Sequence, residues 1–176
     1  MPHLTHLIPI LQATSGAPPV CLDESSVKRA LGFDLAEMQR NGFDPSIVDE
    51  HQQFNKRVDD FLSHPLFGEY LRTLTPVNGY QASGISVGTL SDIRRTIAPE
   101  GSYAGRLFAA GYLPVAGSVG GNCVCFRATS GQVIWADHDG DYDDCDAAVI
   151  SLSENIGSFL ADLLAGRLEA RLDKLD

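Results

Sequence analysis

Residues 112–146 read YLPVAGSVGGNCVCFRATSGQVIWADHDGDYDDCD. Apolar runs alternate here with glycine-bearing turns, a pattern typical of antiparallel strands joined by short connections. We predict strands over residues 112–116, 122–129 and 132–137, with Ser130-Gly131 as a two-residue turn between the last two. Along the third strand both alternating faces are apolar, with Val133 and Trp135 on one and Ile134 and Ala136 on the other. We therefore expect that strand to be covered on both sides.

The first of these strands contains Pro114. Proline has no backbone N–H to donate to a sheet ladder, so we expect this strand to lie at an edge of the sheet or to begin late. Residues 80–88 predict a weak strand or an irregular connection, and residues 147–150 predict one more short strand.

Helical spacing dominates the rest of the chain. We predict a helix from Ser25 to Asn41-Gly42, and another that begins at Asp44-Pro45, buries Ile47 on one face and stops at His64-Pro65. Shorter helices are expected over residues 66–74 and 89–97, the second beginning with a near capping box formed by Thr89 and Asp92. Residues 102–111 are ambiguous. The final helix is expected to begin with a capping box formed by Ser151 and Glu154.

These elements predict an α+β fold, with a twisted, mainly antiparallel sheet of about four to six strands packed by helices. Residues 1–64 would form an N-terminal arm and helices that pack on the core, and residues 65–176 the α+β domain. We expect the two parts to make one compact unit, which is an ordinary size for a chain of 176 residues.

The formal net charge of −10 bears on the kind of partner. It argues against direct binding of nucleic acid, where affinity comes from Lys and Arg, and against docking on an anionic membrane. It suits plain solubility or the capture of a basic protein. The N-terminal MPHLTHLIPILQ has no Lys or Arg before its apolar part, so it fits a secretory signal poorly. We expect a cytoplasmic protein with reduced thiols.

The four cysteines include Cys123 and Cys125, which lie two apart in a predicted strand. Their side chains would share one face, where they could coordinate a metal. Two further ligands at convincing spacing are missing, so we favour two small buried hydrophobic residues. The sequence therefore predicts neither a cofactor nor a metal at this pair.

Six aspartates crowd the stretch DHDGDYDDCD, residues 137–146. An EF-hand calcium loop is not matched, because Gly140 is at the fourth position and Ala148 stands where the closing glutamate belongs. A solvated loop, an acidic face for a cationic partner and a weak divalent site remain the alternatives. The preceding tryptophan supports the second, since aromatic anchors beside charge are typical of interfaces. The candidate partner-binding residues are Trp135, Asp137, His138, Asp139, Asp141, Tyr142, Asp143, Asp144 and Asp146.

A catalytic role for His138 is not predicted. On a continuing strand Asp137 and Asp139 would point to the face opposite His138, so they would not orient its ring. We therefore predict a surface histidine, no catalytic residues and a protein that is not an enzyme.

Residues 65 to 165 carry an ordered set of loose motifs. They are Pro65, Phe67, Tyr70 and Leu71 before Asn78-Gly79, then TLSDI (89–93), LPVAGS (113–118), GGNCVCF (120–126), GQVIWADHD (131–139) and FLADLL (159–164). In order and spacing this set resembles the SUKH superfamily, which includes fungal cell-wall assembly regulators and bacterial immunity proteins of toxin systems. The chain departs from the family pattern at Asn122, where an Asp is usual, and at Tyr80, where a second Gly is usual.

The resemblance implies a non-catalytic immunity protein that binds a cognate toxin, often a nuclease or another cytoplasmic enzyme, and neutralises it by occlusion. An acidic immunity protein would fit a basic toxin. A regulatory protein-interaction module without a toxin partner is the first alternative. A metal-dependent enzyme that uses the Asp cluster of residues 137–146 is the second.

Overall fold

The computed structural model describes residues 4–98, 101–140, 149–168 and 172. Within them the chain forms a short 3-10 turn (Leu4–Leu7), eight α-helices and six strands, which confirms the α+β class. The helices are α1 (Ile8–Ser15), α2 (Glu24–Leu31), α3 (Leu35–Arg40), α4 (Pro45–Ser63), α5 (Pro65–Thr73), α6 (Leu90–Ile97), α7 (Tyr103–Ala109) and α8 (Ile156–Leu164).

The six strands form one open sheet in which each strand pairs antiparallel with the next along the chain. Sequential strand order makes this an antiparallel meander. Short connections join β1 to β2, β3 to β4 and β4 to β5, whereas α6 and α7 lie between β2 and β3. The strands are β1 (Tyr80–Ala82), β2 (Ile85–Val87), β3 (Tyr112–Ser118), β4 (Cys123–Arg127), β5 (Val133–Ala136) and β6 (Val149–Ser153).

Both faces of the sheet are covered at its centre. The major face packs on the helices through Leu113, Val124, Phe126, Val133 and Trp135. The minor face packs on Ala104 and Leu107 of α7 through Tyr112, Cys123, Cys125, Ile134 and Ala136. All four residues of β5 are buried, so the prediction of a strand covered on both sides is confirmed.

Aromatic rings fill the layer between the major face and the helices. Phe67 of α5 stacks on Phe126 of β4 with ring centroids 3.9 Å apart. Phe61 of α4 contacts both of these rings and Phe108 of α7. Burying each such ring contributes about 1.5–3 kcal/mol, so this cluster is a large part of what holds α4, α5 and α7 on the sheet.

The N-terminal arm is helical and belongs to this same core. Leu4, Leu7 and Leu11 are each 2% exposed and lie in the cluster that contains the major face. The segment that follows is tied down by backbone hydrogen bonds from Val20 to Thr75 and from Leu22 to Arg72.

The helix predicted from Ser25 to Asn41 is two helices, α2 and α3. Gly32 is extended, and the next residue, Phe33, is held by Asn55 of α4, whose Oδ1 accepts from its N–H and whose Nδ2 donates to its carbonyl. These bonds satisfy the backbone of Phe33 outside a helix, so tertiary contacts override the helical spacing. Ile47, predicted to be buried on α4, is 38% exposed, and its neighbour Val48 is buried instead.

Pro114 does not mark an edge, because β3 is the third of six strands. The register between β3 and β4 shifts between Pro114 and Ala116. The missing N–H therefore falls at a bulge, which is where a central strand tolerates proline.

The predicted cap at Ser151 is also wrong. Ser151 lies in β6 opposite Ile134, and the cap of α8 is Asn155, which accepts a hydrogen bond from Ser158 N–H. The sheet ladder engages the backbone around Ser151, so the helix begins after the strand ends.

Gly68 of α5 offers a test of this packing. A Cβ there would overlap the carbonyl oxygen of Leu62 and lie 2.9 Å from Arg72 Nη1. In an open helix Gly→Ala stabilises by about 0.5–1 kcal/mol, but overlap with backbone costs about 1–3 kcal/mol. We expect Gly68→Ala to lower the free energy of unfolding measured in urea. Gly101→Ala, where no atom lies within 4 Å of the added Cβ, is the control. Equal stabilities of the two variants would contradict the overlap.

His64 makes stability depend on pH. Its ring lies against Phe126, and its Nδ1 is buried without a hydrogen-bond partner among the described residues. Burial lowers the pKa of His64 below its ordinary value of 6.5. The unfolded chain then binds the proton more readily, so stability is full above pH of about 6.5 and falls as the pH drops below it. We expect urea midpoints of the wild type to fall more steeply between about pH 7 and pH 5.5 than those of His64→Gln.

Candidate functional site

The candidate site is the turn that follows β5, residues 137–140, which we call the acidic turn. β5 ends at Ala136, and the turn closes through hydrogen bonds from Gly140 N–H to the Asp137 carbonyl and from Asp139 N–H to Asp137 Oδ1. The Tyr103 hydroxyl of α7 donates to the Asp137 carbonyl at 2.8 Å. The turn is therefore held both by itself and by the helix on the minor face.

Asn122 fastens the centre of the turn. It lies just before β4 and is 6% exposed, and its Oδ1 accepts from the backbone N–H of His138 at 2.9 Å. The same Oδ1 lies 2.9 Å from His138 Nδ1. A backbone N–H can only donate, so the amide atom it meets is the oxygen, and Nδ1 must then carry a proton. The ring is thus oriented with Nε2 towards Asp139.

Both neighbouring carboxylates approach this ring. Asp139 Oδ1 lies 3.2 Å from Nε2, and Asp137 Oδ1 lies 4.0 Å from Nδ1. The prediction that strand alternation separates Asp137 and Asp139 from His138 is wrong, because residues 137–140 form a turn and not a continued strand. In this turn the imidazole of His138 lies between the amide oxygen of Asn122 and the carboxylates of Asp137 and Asp139.

The acidic turn is accessible to solvent. The side chains of Asp137, His138 and Asp139 are 50%, 41% and 83% exposed. One ligand atom from each lies within 4.8 Å of the others, a spacing that could hold a divalent ion. Carboxylate oxygens and an imidazole nitrogen suit zinc or manganese better than calcium, which prefers oxygen ligands alone.

Trp135 does not belong to this accessible surface. Its side chain is 1% exposed and packs in the major-face core, and its Nε1 has no hydrogen-bond partner among the described residues. Burial removes it as an anchor that a partner could contact, because β5 is covered on both faces. The other candidate residues, Asp141, Tyr142, Asp143, Asp144 and Asp146, lie outside the described residues.

The structure adds a cleft that the sequence did not predict. About 520 Å³ of space lies between α6 and strands β1–β4. Its lining includes Gln81, Ser86, Arg95, Thr96, Gly117 and Cys123. The small residues in ASGIS (82–86) and AGS (116–118) were the available signal, since they leave a sheet face without bulky side chains.

The wall of the cleft is fixed by a capping box at the start of α6. Thr89 and Asp92 exchange side-chain and backbone hydrogen bonds, and Arg95 Nη2 lies 2.6 Å from Asp92 Oδ1. Hydrogen bonds from the Thr89 N–H and hydroxyl, with a smaller contribution from Arg95, lower the pKa of Asp92. The carboxylate is therefore held ionised and in place, as the capping box in TLSDI predicts.

No helix in the described part of the chain combines the length and apolar character needed to cross a bilayer. No family model, curated protein or solved structure matches the chain. The resemblance to the SUKH superfamily therefore stays a prediction that rests on the quoted motifs.

The anchoring role of Asn122 can be tested by stability. Asn122→Ala removes the acceptor of two hydrogen bonds from His138, and leaving such donors unpaired costs about 1–3 kcal/mol. We expect urea denaturation to show a loss of this size. Asp139→Ala is the control, since an exposed side chain of the same turn should change stability by less than about 0.5 kcal/mol. An Asn122→Ala variant as stable as this control would contradict the anchor.

Proposed function

We propose that this chain is a non-catalytic protein-binding domain, an immunity protein that binds a cognate bacterial toxin in the cytoplasm and blocks it by occlusion. The observation that carries the proposal is the acidic turn. It presents exposed carboxylates of Asp137 and Asp139, and His138 is the only basic side chain within 4.0 Å of them in the described ranges.

Charge supports a basic partner. The ten residues from 137 to 146 contain six aspartates and no Lys or Arg, in a chain of net charge −10. Such a cluster attracts a cationic surface before contact and raises the association rate, an effect that salt suppresses. The same charge disfavours nucleic acid and a second copy of this chain as ligands.

Rigidity supports binding as well. The bonds from Asn122, Tyr103 and Asp137 hold the turn before any partner arrives. Groups that are already ordered lose less conformational entropy on association, so more of the interaction energy becomes affinity. The SUKH resemblance contributes the class of partner, a toxin that is basic and nuclease-like.

The test is co-expression with the product of the neighbouring reading frame, the candidate toxin. We expect the wild type to restore survival, and Asp137→Asn/Asp139→Asn to lower the association rate about tenfold at low salt with less change in dissociation. Asp49→Asn/Glu50→Gln on the exposed face of α4 removes the same charge elsewhere and is the matched control.

The outcomes separate the function from the surface. Failure of the wild type to bind the toxin or to restore survival would overturn the immunity function and leave a regulatory interaction module. Normal binding by the Asp137→Asn/Asp139→Asn variant would retain the function but move the interface away from the acidic turn.

The clustering of Asp137, His138 and Asp139 ligand atoms within 4.8 Å favours one second candidate, a metal-dependent enzyme. Calorimetric titration with Zn²⁺, Mn²⁺, Mg²⁺ and Ca²⁺ tests it directly. Saturable heat that disappears in the Asp137→Asn/Asp139→Asn variant would support this candidate, and an absence of heat with all four ions would remove it.

A further inference from the structure

The cleft beside α6 has a floor that is built from one row of the sheet. Gln81 of β1 lies opposite Ser86 of β2. Ser86 lies opposite Gly117 of β3, and Gly117 lies opposite Cys123 of β4. Directly opposed residues of antiparallel strands share a face, so the whole row lies on the minor face with Cys123. All four residues line the cleft, and three of them have small side chains that leave its floor open.

The length of this row suits a short extended peptide. Neighbouring strands lie about 4.7–4.9 Å apart, so the three steps from β1 to β4 span about 14–15 Å. An extended chain rises about 3.3 Å per residue, and about four residues therefore fit along the row. The cleft volume of about 520 Å³ falls within the range that ligand sites occupy.

The polar groups of the lining match those of a peptide backbone. Among the described residues that line the cleft, only Asp92 and Arg95 carry charge, and they pair with each other at 2.6 Å. On the floor Gln81 Nε2 donates to Ser86 Oγ, and Thr96 adds a hydroxyl on the α6 wall. Side-chain amides and hydroxyls both donate and accept hydrogen bonds, as the N–H and C=O of a peptide require. The lining therefore favours an uncharged peptide segment over an ionic ligand.

Part of the cleft lining also holds the acidic turn. Asn122 lines the cleft, and its Oδ1 lies 2.9 Å from both the backbone nitrogen and the ring Nδ1 of His138. Gly121 lines the cleft as well, and a Cβ added to it would lie 3.6 Å from the His138 ring. The exposed carboxylates of Asp137 and Asp139 approach that same ring. A chain that leaves the cleft past residues 121 and 122 therefore meets negative charge.

We propose that the cleft receives an extended, uncharged segment of about four residues from the cationic partner of the acidic turn. Lys or Arg residues that flank this segment would contact Asp137 and Asp139. The inference rests on the proposed function and adds a second contact surface to it. Charge complementarity selects the occupant, because a neutral segment flanked by positive charge fits both surfaces at once. The net charge of −10 disfavours a second copy of this chain in the same place.

The experiment measures binding kinetics between the full chain and the product of the neighbouring reading frame by surface plasmon resonance. Ser86→Phe fills the cleft from its floor and Thr96→Phe fills it from the α6 wall, and both positions are exposed. We expect each variant to dissociate about tenfold faster or more, because short-range contacts are lost. The salt dependence of association should not change, because the charges of the acidic turn remain. Ser151→Phe in β6 and Gln52→Phe in α4, at exposed positions outside the cleft lining, are the matched strand and helix controls.

Failure can be assigned either to the cleft or to the function. Absence of binding by the wild type would overturn the immunity function and this inference together. Wild-type dissociation rates in both Ser86→Phe and Thr96→Phe would overturn this inference alone, provided that Asp137→Asn/Asp139→Asn still slows association. A dimer of the free chain in light scattering that Ser86→Phe disperses would assign the cleft to a second copy and overturn the proposal as well.

Hydrogen exchange of the wild-type complex provides a measurement that needs no substitution. Backbone amides of residues 81–86 and 117–122 should exchange more slowly in the complex than in the free chain, because a bound segment covers the cleft. Protection of residues 137–140 without protection of these two ranges would confine the interface to the acidic turn and overturn the proposal.

Discussion

Strand β5 has no face that meets solvent, and the rest of the molecule is arranged around that constraint. Val133 and Trp135 need a helical layer on one side, which the helices of the main core supply, and Ile134 and Ala136 need α7 on the other. The short helix α7 covers the minor face at the centre of the sheet but does not extend over all of it. The cleft beside α6 lies where this cover ends.

The same constraint positions the acidic turn. Because Cys123 pairs with Ala136, the residues just outside that pair, Asn122 and those after Ala136, must meet at one corner of the sheet. There the buried amide of Asn122 ties down His138, and the charged side chains on either side are left facing outward. The apolar strand β5 is thus followed directly by a fixed polar turn. The pairing of β4 with β5 determines both the sheet and the position of the acidic turn.

Local signals predicted most of this architecture. The caps at Asp44 and Thr89 and the alternation in β5 each act over a few residues, and each is found where expected. The two-residue turn predicted at Ser130-Gly131 is a longer connection, because β4 ends at Arg127 and β5 begins at Val133. The predictions were wrong where contacts with residues distant in sequence determine the local structure. Asn55 binds the backbone of Phe33 and keeps it out of a helix. A bulge lets Pro114 lie in a central strand, and pairing with β5 places Ser151 in a strand and not at the cap of a helix. At the site, the acidic run was evident from the sequence, but the residue at which β5 ends was not. The contacts around His138 depend on the turn that begins there, so the sequence did not predict them.

The packing of the N-terminal leucines has a consequence for how the chain folds. Each strand pairs with its neighbour along the chain, and the β1–β2, β3–β4 and β4–β5 hairpins can close over short loops. Leu4, however, lies against Gly157 at the start of α8, and Leu7 and Leu11 share the core with Phe159 and Leu160. During synthesis these leucines cannot be fully buried until α8 has left the ribosome. Their docking on α8 is therefore a long-range step of folding.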